Sequence, residues 1–404
     1  MDLIRSFSLV VLVWLASACP AAVRTGLDNV EAHRALFAGK RIGIIANHTA
    51  YDRQGRFIVE VFRGLDDVQV AALFSPEHGL YGVEEAGAAI ADRRDPKYGL
   101  PVHSLYGTTR KPTPQMLEGI DVLVFDIQDI GSRFYTYIST MALAMEAAAE
   151  CGKRFVVLDR PNPIGGIAVE GPILEPALAS FVGMHPIPVR HGLTVGELAR
   201  LIDGQRWLAG GVRVSLTVVP MTGWKRAMWY DRTGLVFRKP SPNMPDVETA
   251  TVYPGLCLLE GTNVSEGRGT AMPFRQFGAP WIDGAKLAAR LNALNLPGLR
   301  FHATAFTPTA SKHQGALCHG VRIDVTDRDR LEPFWSGVCI VNEIARMAPG
   351  DFAWRESHFD RLCGTTTIRE AITRREPVSP LRDTWRTDVE SFQGVRRQYL
   401  LYGD

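Results

Sequence analysis

The residues of this chain best equipped for chemistry fall in short polar clusters, each placed directly after an apolar run. Residues 73–82 read LFSPEHGLYG, which sets Glu77 beside His78 where the apolar run 68–74 gives out. Similar clusters follow three other runs: Asn47 with His48, Asp126 with Gln128 and Asp129, and Asp159 with Arg160 and Asn162. Glycoside hydrolysis needs a protonated carboxylic acid at the leaving oxygen, and usually a second group to stabilise the oxocarbenium-like centre or to activate water. Glu77 suits the first role. Phe74, Leu80 and Tyr81 would cover it, and lost hydration favours the proton-bearing form. His78 would share that proton or orient the acid; the alternative is a salt-bridged loop. Asp126 and Asp129 are the candidates for the second group, and Asp129 is equally suited to cap the helix expected after Gly131. Arg133, Arg160 and Arg190 offer guanidinium forks for an acidic substrate, each equally open to a structural role. His191 adds an imidazole beside Arg190. Tyr135, Tyr137, Trp224 and Trp229 offer faces for a sugar ring or for the core. In EGTNVSEGRGT (260–270), glycines permit close backbone approach while Asn263, Glu266 and Arg268 present polar groups, as in a substrate-lining loop.

Those clusters need a scaffold that brings them to one edge. Apolar runs at 40–50, 68–74, 120–131 and 153–163 read as strands, and they alternate with helical patterns at 27–37, 57–63, 112–117 and 134–151. Strands apolar throughout and separated by helices imply a mostly parallel sheet covered on both faces, a doubly wound α/β domain. Ligands of such sheets bind at the carboxyl ends of the strands, where all four clusters lie. A strand-then-helix unit at 181–204, capped by Thr194, and a strand at 212–219 extend the pattern. The segment 237–270 is rich in Pro, Gly and polar residues and reads as a long irregular, functional stretch. Beyond Pro280, helices at 283–294, 331–347 and 384–400 and strands at 301–306 and 321–325 suggest a smaller C-terminal α/β domain. The expected division is 27–278 and 279–404.

The N-terminus MDLIRSFSLVVLVWLASACPAAV has a short polar start, an apolar run and then small residues, the pattern of a secretory signal over 1–18. LASAC also resembles a bacterial lipobox, in which an acylated Cys19 would tether the chain to a membrane face. Export to the periplasm or a membrane-anchored state is therefore expected. The net charge of +2 over 404 residues, without a Lys/Arg run, argues against a nucleic-acid surface. The later cysteines, Cys151, Cys257, Cys318, Cys339 and Cys363, form no C-x-x-C pair, which disfavours zinc. Neither G-x-G-x-x-G after the first strand, nor G-x-x-x-x-G-K-[ST], nor G-x-S-x-G, nor H-E-x-x-H occurs, so no cofactor is expected.

Longer strings carry a resemblance. SPEHGLYG, GLPVHSLYG, DVLVFDIQDIGSRFYTYISTM, VLDRPNPIGG, PIPVRHGLTVGELA, PSPNMP, YPGLCLLEGTNVSEGRGT, FTPTASKHQG and the terminal RRQYLLY resemble the exo-β-N-acetylmuramidases of the NamZ type, over about residues 40–402. The resemblance implies a Rossmann-like α/β domain with a smaller C-terminal α/β domain and a site in the cleft between them. It implies removal of N-acetylmuramic acid (MurNAc) from non-reducing ends of peptidoglycan fragments, with the proposed catalytic glutamate of PEHG falling on Glu77. The run after that motif, with Tyr81, Glu84 and Glu85, departs from the basic residue that often follows it in the family. Two other classes compete. One is a metal-dependent wall hydrolase or amidase using His48, His78, His191, Asp126 and Asp129; the other is a lipoprotein that binds muropeptides without cutting them.

Overall fold

A computed structural model describes residues 23–82, 84 and 93–404; the expected signal segment and Cys19 lie outside them. The apolar runs form the strands of a seven-stranded sheet, β1 (Arg41–Ala46), β2 (Gln69–Ser75), β3 (Arg93–Arg94), β4 (Pro101–Ser104), β5 (Val122–Asp126), β6 (Arg154–Leu158) and β7 (Ser215–Val219). Their order is β3-β4-β2-β1-β5-β6-β7, parallel except for the short edge strand β3. Successive side chains point to opposite faces, and both faces are buried. Ile44, Val124 and Val156 enter one core with Phe37 and Phe62, while Ile45, Phe125 and Phe155 enter the other with Met141. That double burial is why these runs show no alternation. Winding leaves β1 towards β2 and β4, then returns to build β5 to β7 on the other side, so the switch point lies between β1 and β5.

Helices α1 (Ile58–Arg63), α2 (Tyr137–Glu150) and α3 (Val195–Gly204) cover the sheet. Thr194 caps α3 as expected: Glu197 N–H donates to its hydroxyl at 3.2 Å and its own N–H donates back to the Glu197 carboxylate at 3.1 Å. The segment 27–37 is a pair of 3₁₀ turns, Leu27–Asn29 and Glu31–Leu36, with His33 outside helical geometry. No strand forms at 181–193, where Arg190 makes only isolated bridges to Ser132 and Glu170.

The stretch 237–270 is not irregular throughout, because α4 (Val247–Leu256) and a 3₁₀ turn (Cys257–Gly261) run through it. Pro254 and Gly255 disguise this helix. At Gly255 the helix backbone meets α6 (Pro333–Met347), where an added Cβ would sit 1.8 Å from Pro333 O, so the glycine permits the crossing. The second sheet is antiparallel, in the order β8 (Gln276–Ala279), β10 (Cys318–Val325), β9 (Leu299–Phe306), and it packs with α5 (Gly284–Ala293). The expected join at 278/279 falls inside β8. Helices α7 (Glu356–Cys363) and α8 (Thr367–Thr373) then lead to α9 (Leu381–Thr384) and α10 (Arg386–Arg396). The chain end returns to the first lobe, where Tyr402 O–H donates to Asp159 at 2.6 Å and Arg396 to Gly192 O at 3.0 Å. All five described cysteines are free thiols, four of them buried.

His185 packs flat against Trp207 at 5.9 Å, with no hydrogen-bond partner for Nε2, and burial lowers its pKa to about 4. The unfolded chain takes this proton near pH 6.5, whereas the folded chain refuses it until about 4. Stability is therefore lost as pH falls through that window. The variant His185→Phe should lose less Tm between pH 7.5 and 5 than wild type; parallel losses would contradict the assignment.

Candidate active site

The PEHG turn begins one residue past β2, and its backbone is unusual. His78 has φ of +68°, a left-handed conformation that costs a non-glycine residue roughly 1–3 kcal/mol. Its Nδ1 lies 2.8 Å from Glu84 O, which holds the ring in that pose. Gly82, also at positive φ, lies against the His48 imidazole, where an added Cβ would fall 2.0 Å from the ring. The turn is thus pinned at His78 and at Gly82, and Glu77, immediately before them, is half-buried.

Three elements converge on the Glu77 carboxylate. Thr136, at the N-terminus of α2, donates from Oγ1 to Oε2 at 2.7 Å. Tyr106, two residues past β4, donates its hydroxyl to the same carboxylate; burial, then the charge of Glu77, raises its pKa to about 12, so that hydroxyl keeps its proton. Strand order explains the meeting, since β4 lies beside β2 and their ends deliver both residues to one place.

Glu77 and His78 open into a cavity of about 340 Å³ between the two lobes. That volume falls in the range of small-molecule sites. Tyr135, Tyr137 and Phe134 floor it. The second lobe supplies Tyr253 from α4, Glu260 from the 3₁₀ turn, Arg268 and Phe274 from the following loop, and His358 and Arg361 from α7. Burial alone would raise the Glu260 pKa, but Arg268 at 2.6 Å and His358 at 3.5 Å outweigh it and hold this carboxylate ionised, well below its ordinary range. Arg268 also pairs with Glu266 at 3.1 Å, and Lys312 pairs with Glu266 at 2.8 Å.

Of the residues expected in the site, Glu77, His78, Tyr135, Tyr137 and Arg268 line this cavity, and Glu266 stands behind Arg268. The others are drawn into the frame. Asp126 is fully buried in a two-point ion pair with Arg160, whose Nη2 lies 2.9 Å from Oδ2. Asp129 accepts from Gly131 N–H at 2.7 Å, the capping alternative, and burial raises its pKa to about 7. His191 lies 4.0 Å from Asp129 and accepts from Leu193 N–H at 3.2 Å; burial lowers its pKa to about 3. Arg133 donates to Pro172 O, Ile187 O and Leu362 O at 2.7, 2.8 and 3.0 Å. Arg190 donates to Ile164 O at 2.6 Å. Asn47 accepts from Thr49, His48 binds Lys239 O at 2.7 Å, and Asn162 donates to Leu193 O at 3.0 Å. Asn263 clamps the backbone at Asp351 and Ala353. Tyr81 turns outward, with its hydroxyl on Asp95, and does not cover Glu77.

Sequence reading missed Tyr106, Thr136, Glu260, His358 and Arg361. Tyr106 and Glu260 sit inside the strings GLPVHSLYG and YPGLCLLEGTNVSEGRGT, so a signal was present. His358 and Arg361 ride on a short, mostly polar helix that hydrophobic periodicity did not reveal. A second hollow of about 290 Å³ lies at the switch point, bordered by Thr49, Gln128 and Arg160. Among the described residues no cluster of three or more His, Cys, Asp or Glu side chains is placed to hold a metal ion, and no helix is long and apolar enough to cross a membrane.

Comparison with known proteins adds the decisive observation. Residues 42–248 match the model of the N-terminal domain of exo-β-N-acetylmuramidase NamZ, and residues 251–402 match that of its C-terminal domain. The chain belongs to the NamZ family. Within it, the peptidoglycan β-N-acetylmuramidase NamZ of Bacillus subtilis (strain 168) is 48% identical over 382 residues, covering 94% of this chain and 91% of that protein. Two crystal structures of DUF1343-family proteins from Bacteroides fragilis NCTC 9343 share the architecture. The first is 39% identical with a TM-score of 0.88, covering 94% of this chain and 99% of that one. The second is 33% identical with a TM-score of 0.78, covering 95% and 100%. The two-domain α/β fold expected from sequence is therefore the fold of the NamZ family, and the family is one of glycoside hydrolases.

Proposed function

We propose that this chain is an exo-acting β-N-acetylmuramidase that releases MurNAc from non-reducing ends of peptidoglycan fragments, with Glu77 as general acid. The observation that carries the proposal is the placing of Glu77 at the mouth of an inter-lobe cavity of saccharide size, in a chain of this family. Thr136 and Tyr106 hydrogen-bond the carboxyl group and fix its place at the cavity that would receive the glycosidic oxygen. Proton transfer needs that oxygen within about 3 Å of the acid.

The second role passes from Asp126 and Asp129 to Glu260. Kept ionised by Arg268 and His358, Glu260 supplies negative charge on the opposite lobe, where an oxocarbenium-like centre gains from it. Aromatic side chains of the floor, Tyr135 and Phe134, offer apolar faces to the sugar ring. We also propose export, supported by the sequence of residues 1–19, with an acylated Cys19 as the tether in the lipoprotein form.

Purified chain should release nitrophenol from a chromogenic β-MurNAc glycoside and should do so at least about 100-fold faster than from the β-N-acetylglucosamine (GlcNAc) glycoside, since a site built around a charged substituent rejects an analogue lacking it. Chelator should leave the rate unchanged. Binding without release would favour a muropeptide-binding protein, and activity lost on chelation would favour a metal hydrolase.

A further inference from the structure

Arg133, Arg160 and Arg190, the guanidinium groups expected to meet an acidic substrate, are all engaged by the frame. A different arginine is available. The cavity is lined by Arg110, Arg268 and Arg361 and by two carboxylates, Glu77 and Glu260. Arg268 is already engaged by Glu260 and Glu266. Among the described residues neither Arg110 nor Arg361 is paired with a carboxylate, so both stand as cations beside the cavity. A cavity in that state favours a ligand that brings a negative group.

The two cations differ in placement. Arg110 lies against the Phe181 ring, 4.4 Å from its centroid, and beside Tyr106, which bonds Glu77. It therefore stands on the acid's own side, where the leaving group departs. Arg361 approaches from the second lobe on α7, one helical turn after His358. The carboxylates of its own helix are already engaged, since Asp360 binds Arg369 at 2.8 Å and Glu356 lies 3.6 Å from the same arginine. Among the described residues Arg361 is exposed and makes no ion pair.

We propose that Arg361 is a specificity-determining residue that receives the lactyl carboxylate of MurNAc. The inference rests on the muramidase reading above and extends it to one side chain. The lactyl ether hangs from C3, two ring carbons from the bond to be cut, so its carboxylate projects away from the acid and towards the opposite wall. A guanidinium fork matches a carboxylate in two-point geometry, and GlcNAc, which lacks the lactyl group, offers it nothing. The arginine thereby reads the one substituent that separates the two sugars of the wall.

The test is calorimetric titration of the full chain with free MurNAc and free GlcNAc, which needs no turnover. Wild type should prefer MurNAc. Arg361→Ala should weaken MurNAc binding on the order of 10- to 100-fold, as expected for loss of a charge-assisted pair, and leave GlcNAc binding unchanged. Arg361→Lys should fall between, and Arg110→Ala should keep the preference. Equal Tm values for the variants would show that the frame is intact. A preference surviving Arg361→Ala, one abolished by Arg110→Ala, or none in wild type would overturn the proposal. Cleavage of a MurNAc–GlcNAc disaccharide by wild type is scored separately: a chain that prefers MurNAc but cannot cut keeps the arginine's role and loses the hydrolase reading.

Discussion

Replacing Glu77 with Gln should lower kcat on a MurNAc–GlcNAc disaccharide by roughly 10²–10⁴-fold, the usual contribution of a positioned acid. Glutamine keeps the size of the side chain and its amide oxygen can still accept from Thr136, so Tm should move little. The loss should be much smaller on a nitrophenyl glycoside, because that leaving group departs without a proton. Glu260→Gln supplies the contrast. Removing a charge that stabilises the sugar cation should slow both substrates by similar factors, whatever leaves. Equal losses for both substrates in Glu77→Gln would place that residue in some role other than proton donor.

The largest effect on stability is expected at Asp126. Its carboxylate is fully buried against Arg160, and Asp126→Ala would leave that guanidinium without a counter-charge in the interior. Breaking a buried pair from one side costs roughly 3–5 kcal/mol, which denaturant titration would read directly. Molecules that remain folded should cleave substrate at near wild-type kcat. The opposite pattern, unchanged stability with lost turnover, would return Asp126 to the catalytic candidacy it shares with Asp129 in the sequence.

These two residues illustrate what was legible before any coordinates. The doubly wound order of strands follows from apolar runs without alternation, and the edge that carries the site follows from the polar clusters at 47, 77, 126 and 159. Residue pattern locates the backbone of each cluster but not the direction of its side chains. Asp126 is the last residue of β5 and still within the sheet, so its carboxylate turns into the interior and meets Arg160. Glu77 stands beyond β2 in a turn whose left-handed His78 and Gly82 aim it into the cavity. Single-strand reasoning also cannot see partners contributed from far along the chain. Thr136 comes 59 residues after Glu77, and Arg361 rides on a helix whose polar composition hid it. Of the arginines chosen from sequence, Arg160 follows a strand end while Arg133 and Arg190 lie in connecting segments, and all three are buried and hold carbonyls or a carboxylate together, as Arg133 does with three carbonyls.

The most direct test is a crystal structure of the Glu77→Gln chain soaked with MurNAc–GlcNAc disaccharide. The account predicts the MurNAc ring in the inter-lobe cavity, its glycosidic oxygen about 3 Å from the residue 77 side chain, and GlcNAc directed outward. A disaccharide seated instead in the switch-point hollow by Gln128 and Arg160, with residue 77 touching only solvent, would contradict it.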